Sequence, residues 1–325
     1  MKEGLIFANA RAKAKEMNLL SEERLHRMME CKNVSDAIRI LIEVNYAGGM
    51  VVEDNNFYDL LAEEENIVTA FVREVAPENV GFECFFLRND YHNIKALLKA
   101  KYGNIEDLSP LILPDGNYSF AQLKEWFESD KLYFSTNVEE AVKTINKAFE
   151  TGNNSARLID VEMDKAMYKD IAIILDKVDD KYIKEYFATL IDSTNILTYL
   201  RVKIINASFA FFANNFVEGG IFTLKQFEEL NMDDAKLIKM LSGTIYKDFY
   251  DKISGSDLSA FETMQDNYLL KIFSINKTDM FSVAPIVGYY LAKLNEIKVL
   301  RVVLVCIKNK VSFEEMKKRV RLLYA

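Results

Sequence analysis

The sequence has few histidines for metal or acid–base chemistry. It has two histidines, His26 and His92, and Glu23 precedes His26 at the Glu-x-x-His spacing of carboxylate-bridged di-iron bundles. A site of that kind needs a second such motif and two more glutamates from facing helices. Because the motif occurs once, we interpret His26 as a surface histidine and predict no metal site and no cofactor.

Two aspartates are also spaced for shared chemistry. Asp160 and Asp164 are one helical turn apart, a spacing at which two carboxylates could share a cation or a proton. Lys165 adjoins them, and the acidic pair recurs 102 residues later as Glu262 and Asp266. The recurrence favours a structural role for the pair.

The three cysteines offer no clear nucleophile. Cys31, Cys84 and Cys306 are widely spaced and form no CxxC motif, and the N-terminus does not resemble a secretory signal. Cys31 follows His26 by five residues, about 140° round a helix, so the two side chains would point apart. We predict reduced cytosolic thiols and no catalytic residue.

Phosphate ligands are disfavoured by loop composition and by charge. The glycines at Gly48-Gly49, Gly152 and Gly219-Gly220 do not form a GxxxxGK[ST] loop, and no GxGxxG motif follows a strand. The formal net charge of −8 and the pI near 5.1 argue against nucleic acid, which needs a surplus of Lys and Arg. We predict neither nucleotide nor nucleic-acid binding.

Helices must position whatever polar residues this chain uses. Half of the 325 residues are hydrophobic, and four prolines and twelve glycines leave few helix breakers. Apolar residues recur at helical spacing, for example Ile183, Phe187, Leu190 and Ile191. The longest apolar stretches fall short of the ~20 residues of a membrane span. We predict an all-α protein without a transmembrane segment.

Helix starts recur at intervals of roughly one hundred residues. Each start has a hydroxyl residue with a hydrophobic residue four positions later, a pattern typical of an N-cap. The four are Ser21, Ser119, Thr223 and Ser312, separated by 98, 104 and 89 residues. This regularity indicates internal repeats.

A polar signature repeats at the same interval. It contains an acid, an asparagine and a basic residue, first as Asp90, Asn93 and Lys99 and then, 102 residues later, as Asp192, Asn195 and Arg201. A third copy has Asn295 and Arg301, with Ala292 in the place of the acid. We predict one body of three repeats, at about 1–117, 118–220 and 221–325, each with short helices before one long helix that carries the signature.

The acid and the base of the signature lie on opposite sides of their helix. Arg201 is nine residues from Asp192, about 180° round the axis, so the two side chains should meet different neighbours. Such a pair could bridge adjacent repeats. The alternative is that these are solvated charges on a long helix.

The C-terminal segment is basic although the chain is acidic. Lys317, Lys318, Arg319 and Arg321 lie close to the end of the sequence. They could compensate a helix dipole, or they could form a surface for anionic lipid head groups or an acidic partner.

Five segments of the chain, in their order and spacing, resemble the C subunit of the bacterial and archaeal V-type (A-type) ATPases and the d subunit of the eukaryotic vacuolar enzyme. The resemblance covers essentially the whole chain. It rests on residues 7–11, 90–101, 192–201, 289–301 and 316–321, where no single motif is diagnostic alone.

The resemblance implies a funnel of three similar helical units with approximate threefold pseudosymmetry. Such a protein would be non-catalytic and peripheral, on the cytoplasmic face of the membrane. Its partners would be the D- and F-type shaft subunits and the proteolipid ring, between which it would pass torque that couples ATP turnover to H⁺ or Na⁺ transport. The signature and C-terminal basic residues are then candidates for the interfaces.

Two other functions stay open from the sequence. One is a helical repeat scaffold that binds protein partners, although such repeats are usually 34 to 47 residues long. The other is a helical-bundle metalloenzyme that uses His26, His92 and nearby acids.

Overall fold

A computed structural model of the chain describes residues 2–53, 56–103, 105, 107–129, 134–152, 155–320 and 323. Within these residues the regular structure is helical and contains no strand. The all-α prediction is therefore confirmed. The α-helices are α1 (Lys2–Glu16), α2 (Glu22–Met29), α3 (Val34–Glu43), α4 (Phe57–Val75), α5 (Glu83–Gly103), α6 (Phe120–Glu128), α7 (Thr136–Glu150), α8 (Ala156–Asp176), α9 (Lys181–Ile204), α10 (Phe209–Ala213), α11 (Leu224–Leu230), α12 (Asp234–Leu241), α13 (Ile245–Tyr250), α14 (Ser259–Ser274), α15 (Ala284–Lys308) and α16 (Phe313–Arg319).

The predicted helix starts are confirmed. In each case the hydroxyl oxygen accepts a hydrogen bond from the backbone N–H three residues later; the four caps are Ser21 of α2, Ser119 of α6, Thr223 of α11 and Ser312 of α16. At α6 and α11 a glutamine also accepts from the N–H of the cap residue, which completes a capping box. These short helices are thus fixed locally by their own sequences.

The chain divides into two compact units. The first combines Met1–Glu78 with Asp266–Ala325, and the second is Asn79–Gln265. The predicted repeat boundaries near residues 117 and 220 stay a prediction.

The first unit is built round α15. This 25-residue helix packs against α1, α2, α3 and α4, and it is buried over most of its circumference. Leu300 and Leu304 of α15 are fully buried, as are Leu41 of α3 and Leu60 and Leu61 of α4. Because α15 is apolar on nearly every side, it needs neighbours all round to remove that surface from water.

The second unit contains α5 and α9, the two other helices that carry the polar signature. The helix α5 packs against α6 and α8, and α8 also packs against α7. Tyr199 of α9 contacts the rings of Phe212 on α10 and Phe227 on α11. The long helix of one predicted repeat therefore packs on short helices of the next, and α15 of the third packs on those of the first.

Candidate functional site

The acid of the first predicted repeat binds the chain where the second predicted repeat begins. Asp90 on α5 is fully buried, and its carboxylate accepts hydrogen bonds from the backbone N–H groups of Asn117 at 2.9 Å and Tyr118 at 3.0 Å. Tyr118 directly precedes Ser119, the N-cap of α6. Asp90 thus fixes the start of α6 onto the preceding long helix.

Asp192 on α9 does the same at the next junction. Its carboxylate, also fully buried, accepts from the backbone N–H groups of Ile221 at 3.1 Å and Phe222 at 3.2 Å. The hydroxyl of Tyr246 on α13 donates a third hydrogen bond at 2.8 Å. Burial raises the pKa of Asp192 above its usual range, although all three donors lower it.

A glycine makes room for each of these carboxylates. A Cβ atom added at Gly116 would lie 2.1 Å from Oδ1 of Asp90, and one added at Gly220 would lie 2.1 Å from Oδ1 of Asp192. Both distances are far inside van der Waals contact. The repeat signature therefore includes this glycine, which the sequence pattern alone did not reveal.

The asparagines of the signature hold the same two junctions. The side-chain amide of Asn93 donates to the carbonyl of Leu113 and accepts from its N–H, both at 2.9 Å. Asn195 makes the same pair of bonds to Val217, at 2.7 and 2.9 Å. Asparagine suits this position because its amide offers a donor and an acceptor side by side.

Burial decides between the two interpretations of the signature. The interpretation as solvated groups on a long helix is wrong for the acids and asparagines of the first two copies, which are all buried: Asp90, Asn93, Asp192 and Asn195. The aspartates bind backbone where the following predicted repeat begins, and the asparagines bind backbone four or five residues before it, so these four residues act as connections within the chain.

The third predicted repeat, which lacks the acid at Ala292, has one at a different position of the same helix. Glu296 lies one turn after Ala292 on α15, and its Oε2 accepts from the backbone N–H of Leu20 at 2.6 Å. Leu20 directly precedes Ser21, the N-cap of α2, as the anchored residues of the other two junctions precede their caps. Asn18 stands where those junctions have glycine. The side chain of Glu296 is longer than that of an aspartate and reaches the junction from the next turn of α15. The displaced acid and the replacement of glycine by Asn18 therefore occur together.

A buried ion cluster surrounds Glu296. The Nζ atom of Lys293 lies 2.7 Å from Oε1 of Glu296 and 2.6 Å from Oε1 of Glu64 on α4. Glu64 also accepts from the backbone N–H of Ala47 at 2.7 Å. Burial alone would lower the pKa of Lys293, but the two carboxylates raise it above its usual range, so it stays charged. Sequence reasoning missed this cluster; the available signal was a Lys and a Glu three residues apart on a mostly apolar helix.

The basic residues of the first two repeats form matching ion pairs. Lys99 on α5 contacts Asp160 on α8 at 2.7 Å, and Arg201 on α9 contacts Glu262 on α14 at 2.5 Å. Acid and base of each signature thus meet different neighbours, as the helix geometry indicated. The second acid of the Asp160 pair, Asp164, is bound by Lys95. Both carboxylates of that pair are therefore already neutralised by lysines.

The remaining candidates lie in the first unit, mostly at exposed positions. Asn295 is half-buried on α15, whereas Arg301 on the same helix is exposed. The basic residues of α16, which are Lys317, Lys318 and Arg319, are exposed too. Glu315 lies 3.2 Å from Lys318 and 3.8 Å from Arg319. Arg321 lies outside the described residues.

The histidines and cysteines have structural surroundings. Nδ1 of His26 lies 3.4 Å from Glu30, and Nε2 of His92 lies 2.9 Å from the carbonyl oxygen of Leu111. Burial raises the pKa of the Cys31 and Cys84 thiols, which disfavours the reactive thiolate. In the described part of the chain, His, Cys, Asp and Glu form no group of three or more that could hold a metal ion. Among the same residues, no helix is long and apolar enough to cross a membrane.

These contacts define a class of protein: an all-α protein in which buried polar side chains on the long helices hold the backbone that leads into short helices. In a comparison with known protein families, the family described as ATP synthase (C/AC39) subunit matches residues 8–319, which is nearly the whole chain. The chain belongs to this family of V-type and A-type ATP synthase C subunits.

Individual relatives match over nearly their whole length. The C subunit of the V-type sodium ATPase of Enterococcus hirae is 25% identical, over 97% of this chain and 98% of the relative. The C subunit of the A-type ATP synthase of Thermococcus onnurineus is 26% identical, over 97% of this chain and 89% of the relative. The similarity thus extends across all three predicted repeats.

Proposed function

We propose that the chain is a non-catalytic connector in the central stalk of a rotary V-type ATPase or ATP synthase. It joins the rotating shaft to the membrane proteolipid ring and transmits the torque that couples ATP turnover to H⁺ or Na⁺ transport. The observation that carries this proposal is the use of the signature residues: most of them bind the chain's own backbone or its own charges. Their arrangement serves cohesion between repeats, as a part under load requires.

The packing order supports a funnel of three repeats. Each long helix packs on short helices of the next repeat, and α15 packs on α1 to α4, which brings the last repeat onto the first. Because close-packed protein interiors have low compressibility and transmit strain, helices packed in this way suit a part that passes torque.

The partners in this proposal are the D- and F-type shaft subunits on one side and the proteolipid ring on the other, at the cytoplasmic face of the membrane. The buried signature residues are unsuited to contact them. We assign partner contact to the exposed members of the set in the first unit, which are Arg301, Lys317, Lys318 and Arg319.

The test is the coupling of ATP hydrolysis to ion transport in membranes that carry the complex. Membranes lacking this chain should retain ATP hydrolysis by the catalytic head but lose ATP-driven ion uptake, and purified chain added back should restore uptake. The isolated chain should hydrolyse no ATP. Full ion uptake without the chain would disprove the connector role.

A further inference from the structure

The third basic residue of the repeat signature differs from the other two in its surroundings. Lys99 and Arg201 each bind a carboxylate on a neighbouring helix, Asp160 and Glu262, which are 102 residues apart. The corresponding position for Arg301, a further 102 residues back from Asp160, is Tyr58 on α4. The basic residue is kept at Arg301, but the acid is replaced.

The helix pairing in the first unit matches this assignment. Lys293 of α15 contacts Glu64 of α4, whereas Lys308 lies over the ring of Phe57 at 5.9 Å, so the two helices run antiparallel. Arg301 lies between these two levels, on the exposed edge of α15. Tyr58 lies at the corresponding end of α4, and its side chain is 48% exposed.

Arg301 has no carboxylate of its own in the described part of the chain. It forms no ion pair there, not even with Asp59, the acid that follows Tyr58. The surrounding segment is strongly cationic, because residues 284–325 contain nine Lys or Arg and only three Glu. Lys308 lies two turns from Arg301 on the same side of α15 and is exposed as well.

We propose that Arg301 and Tyr58 form a docking site for a carboxylate on a helix of a partner protein in the ATPase complex. The partner's acid would take the place that Asp160 and Glu262 fill in the other repeats. A guanidinium binds a carboxylate through two parallel N–H donors, and Arg and Tyr are enriched among the residues that dominate protein interfaces. This inference rests on the proposed connector function, and it adds the chemistry of one partner contact.

The decisive variants change the charge at this site while preserving the fold. Arg301→Glu removes the cation and adds an anion at an exposed position. Tyr58→Glu supplies the missing acid within the chain, so it should occupy Arg301 without lowering stability. Arg201→Glu is the matched control, because it makes the same charge change at a residue whose partner, Glu262, lies in the chain itself.

The measurement is binding of each purified full-length chain to membranes that carry the rest of the ATPase but lack this chain. Arg301→Glu and Tyr58→Glu should each raise the half-saturating concentration at least about tenfold, whereas Arg201→Glu should change it much less. Vesicles of phosphatidylglycerol serve as the lipid probe. Equal losses of binding to these vesicles would assign the site to lipid and overturn the proposal.

A photo-cross-linker identifies the partner directly. Benzoylphenylalanine in place of Tyr58 keeps an aromatic ring, and in the assembled complex it should cross-link to an acidic segment of another protein of the complex. A cross-link only to lipid would overturn the inference. Failure of the unmodified chain to bind the ATPase membranes would refute the connector function and this inference with it, whereas unchanged binding of Arg301→Glu would refute the inference alone.

Discussion

Removing the carboxylate of Asp192 should open the junction between the second and third repeats. In Asp192→Ala three donors lose their acceptor: the N–H groups of Ile221 and Phe222 and the hydroxyl of Tyr246. Ile221 is exposed, whereas Phe222 and Tyr246 are buried. An orphaned buried donor costs about 1–3 kcal/mol. Two donors of this kind are orphaned, and water that enters the vacated space would offset part of the cost, so we expect a loss of about 2–4 kcal/mol in the free energy of unfolding.

Native-state hydrogen exchange measures this loss at the junction itself. A loss of about 3 kcal/mol in local opening corresponds to roughly hundredfold faster exchange of the Ile221 and Phe222 amides. Urea denaturation of the same variant reports the global effect. The matched control is Asp248→Ala, which removes an exposed aspartate from α13 and should cost less than about 0.5 kcal/mol. A loss below about 1 kcal/mol for Asp192→Ala, or equal losses for the two variants, would refute the anchoring argument.

Three further perturbations follow from the same contacts. Gly116→Ala should destabilise the chain by at least about 2 kcal/mol in urea denaturation, because the added Cβ would overlap Oδ1 of Asp90. The control is Gly103→Ala, whose added Cβ would make only ordinary contacts and should not destabilise the chain. Equal effects of the two variants would contradict the steric account. Lys293→Met should cost about 3–5 kcal/mol, because it leaves two buried glutamates unpaired; a neutral result would mean that the cluster is not buried as described. Burial raises the pKa of Tyr91, so its contribution to stability is complete below the ordinary tyrosine pKa of about 10 and is lost as the pH rises above it. Stability curves from about pH 9 to 11 should therefore fall, and less steeply for Tyr91→Phe; an identical slope would contradict this.

The parts of the fold that depend on local sequence were predictable. A hydroxyl cap followed four residues later by an apolar residue marked the starts of α2, α6, α11 and α16, because capping is a contact within one helical turn. The opposite placement of Asp192 and Arg201 followed from helix geometry alone. Both contacts lie on the expected sides of α9, towards Phe222 and Glu262 respectively.

The acid of the third repeat was not predictable because alignment compares positions, whereas the junction requires an oxygen atom at one point in space. Glu296 reaches that point from the next turn of α15, so the pattern at Ala292 looked broken. Gly116 and Gly220 were missed for a related reason. Their role is to leave space for a carboxylate 26 or 28 residues earlier in the chain, and no local pattern encodes that space.

The central claim is that this chain turns with the shaft and carries torque to the ring. The most direct measurement fixes the ATPase to a surface through its catalytic head and attaches a bead to this chain. When ATP is supplied, we expect the bead to rotate in step with a bead attached to the shaft. A stationary bead on this chain, in complexes whose shaft rotates, would contradict the connector role.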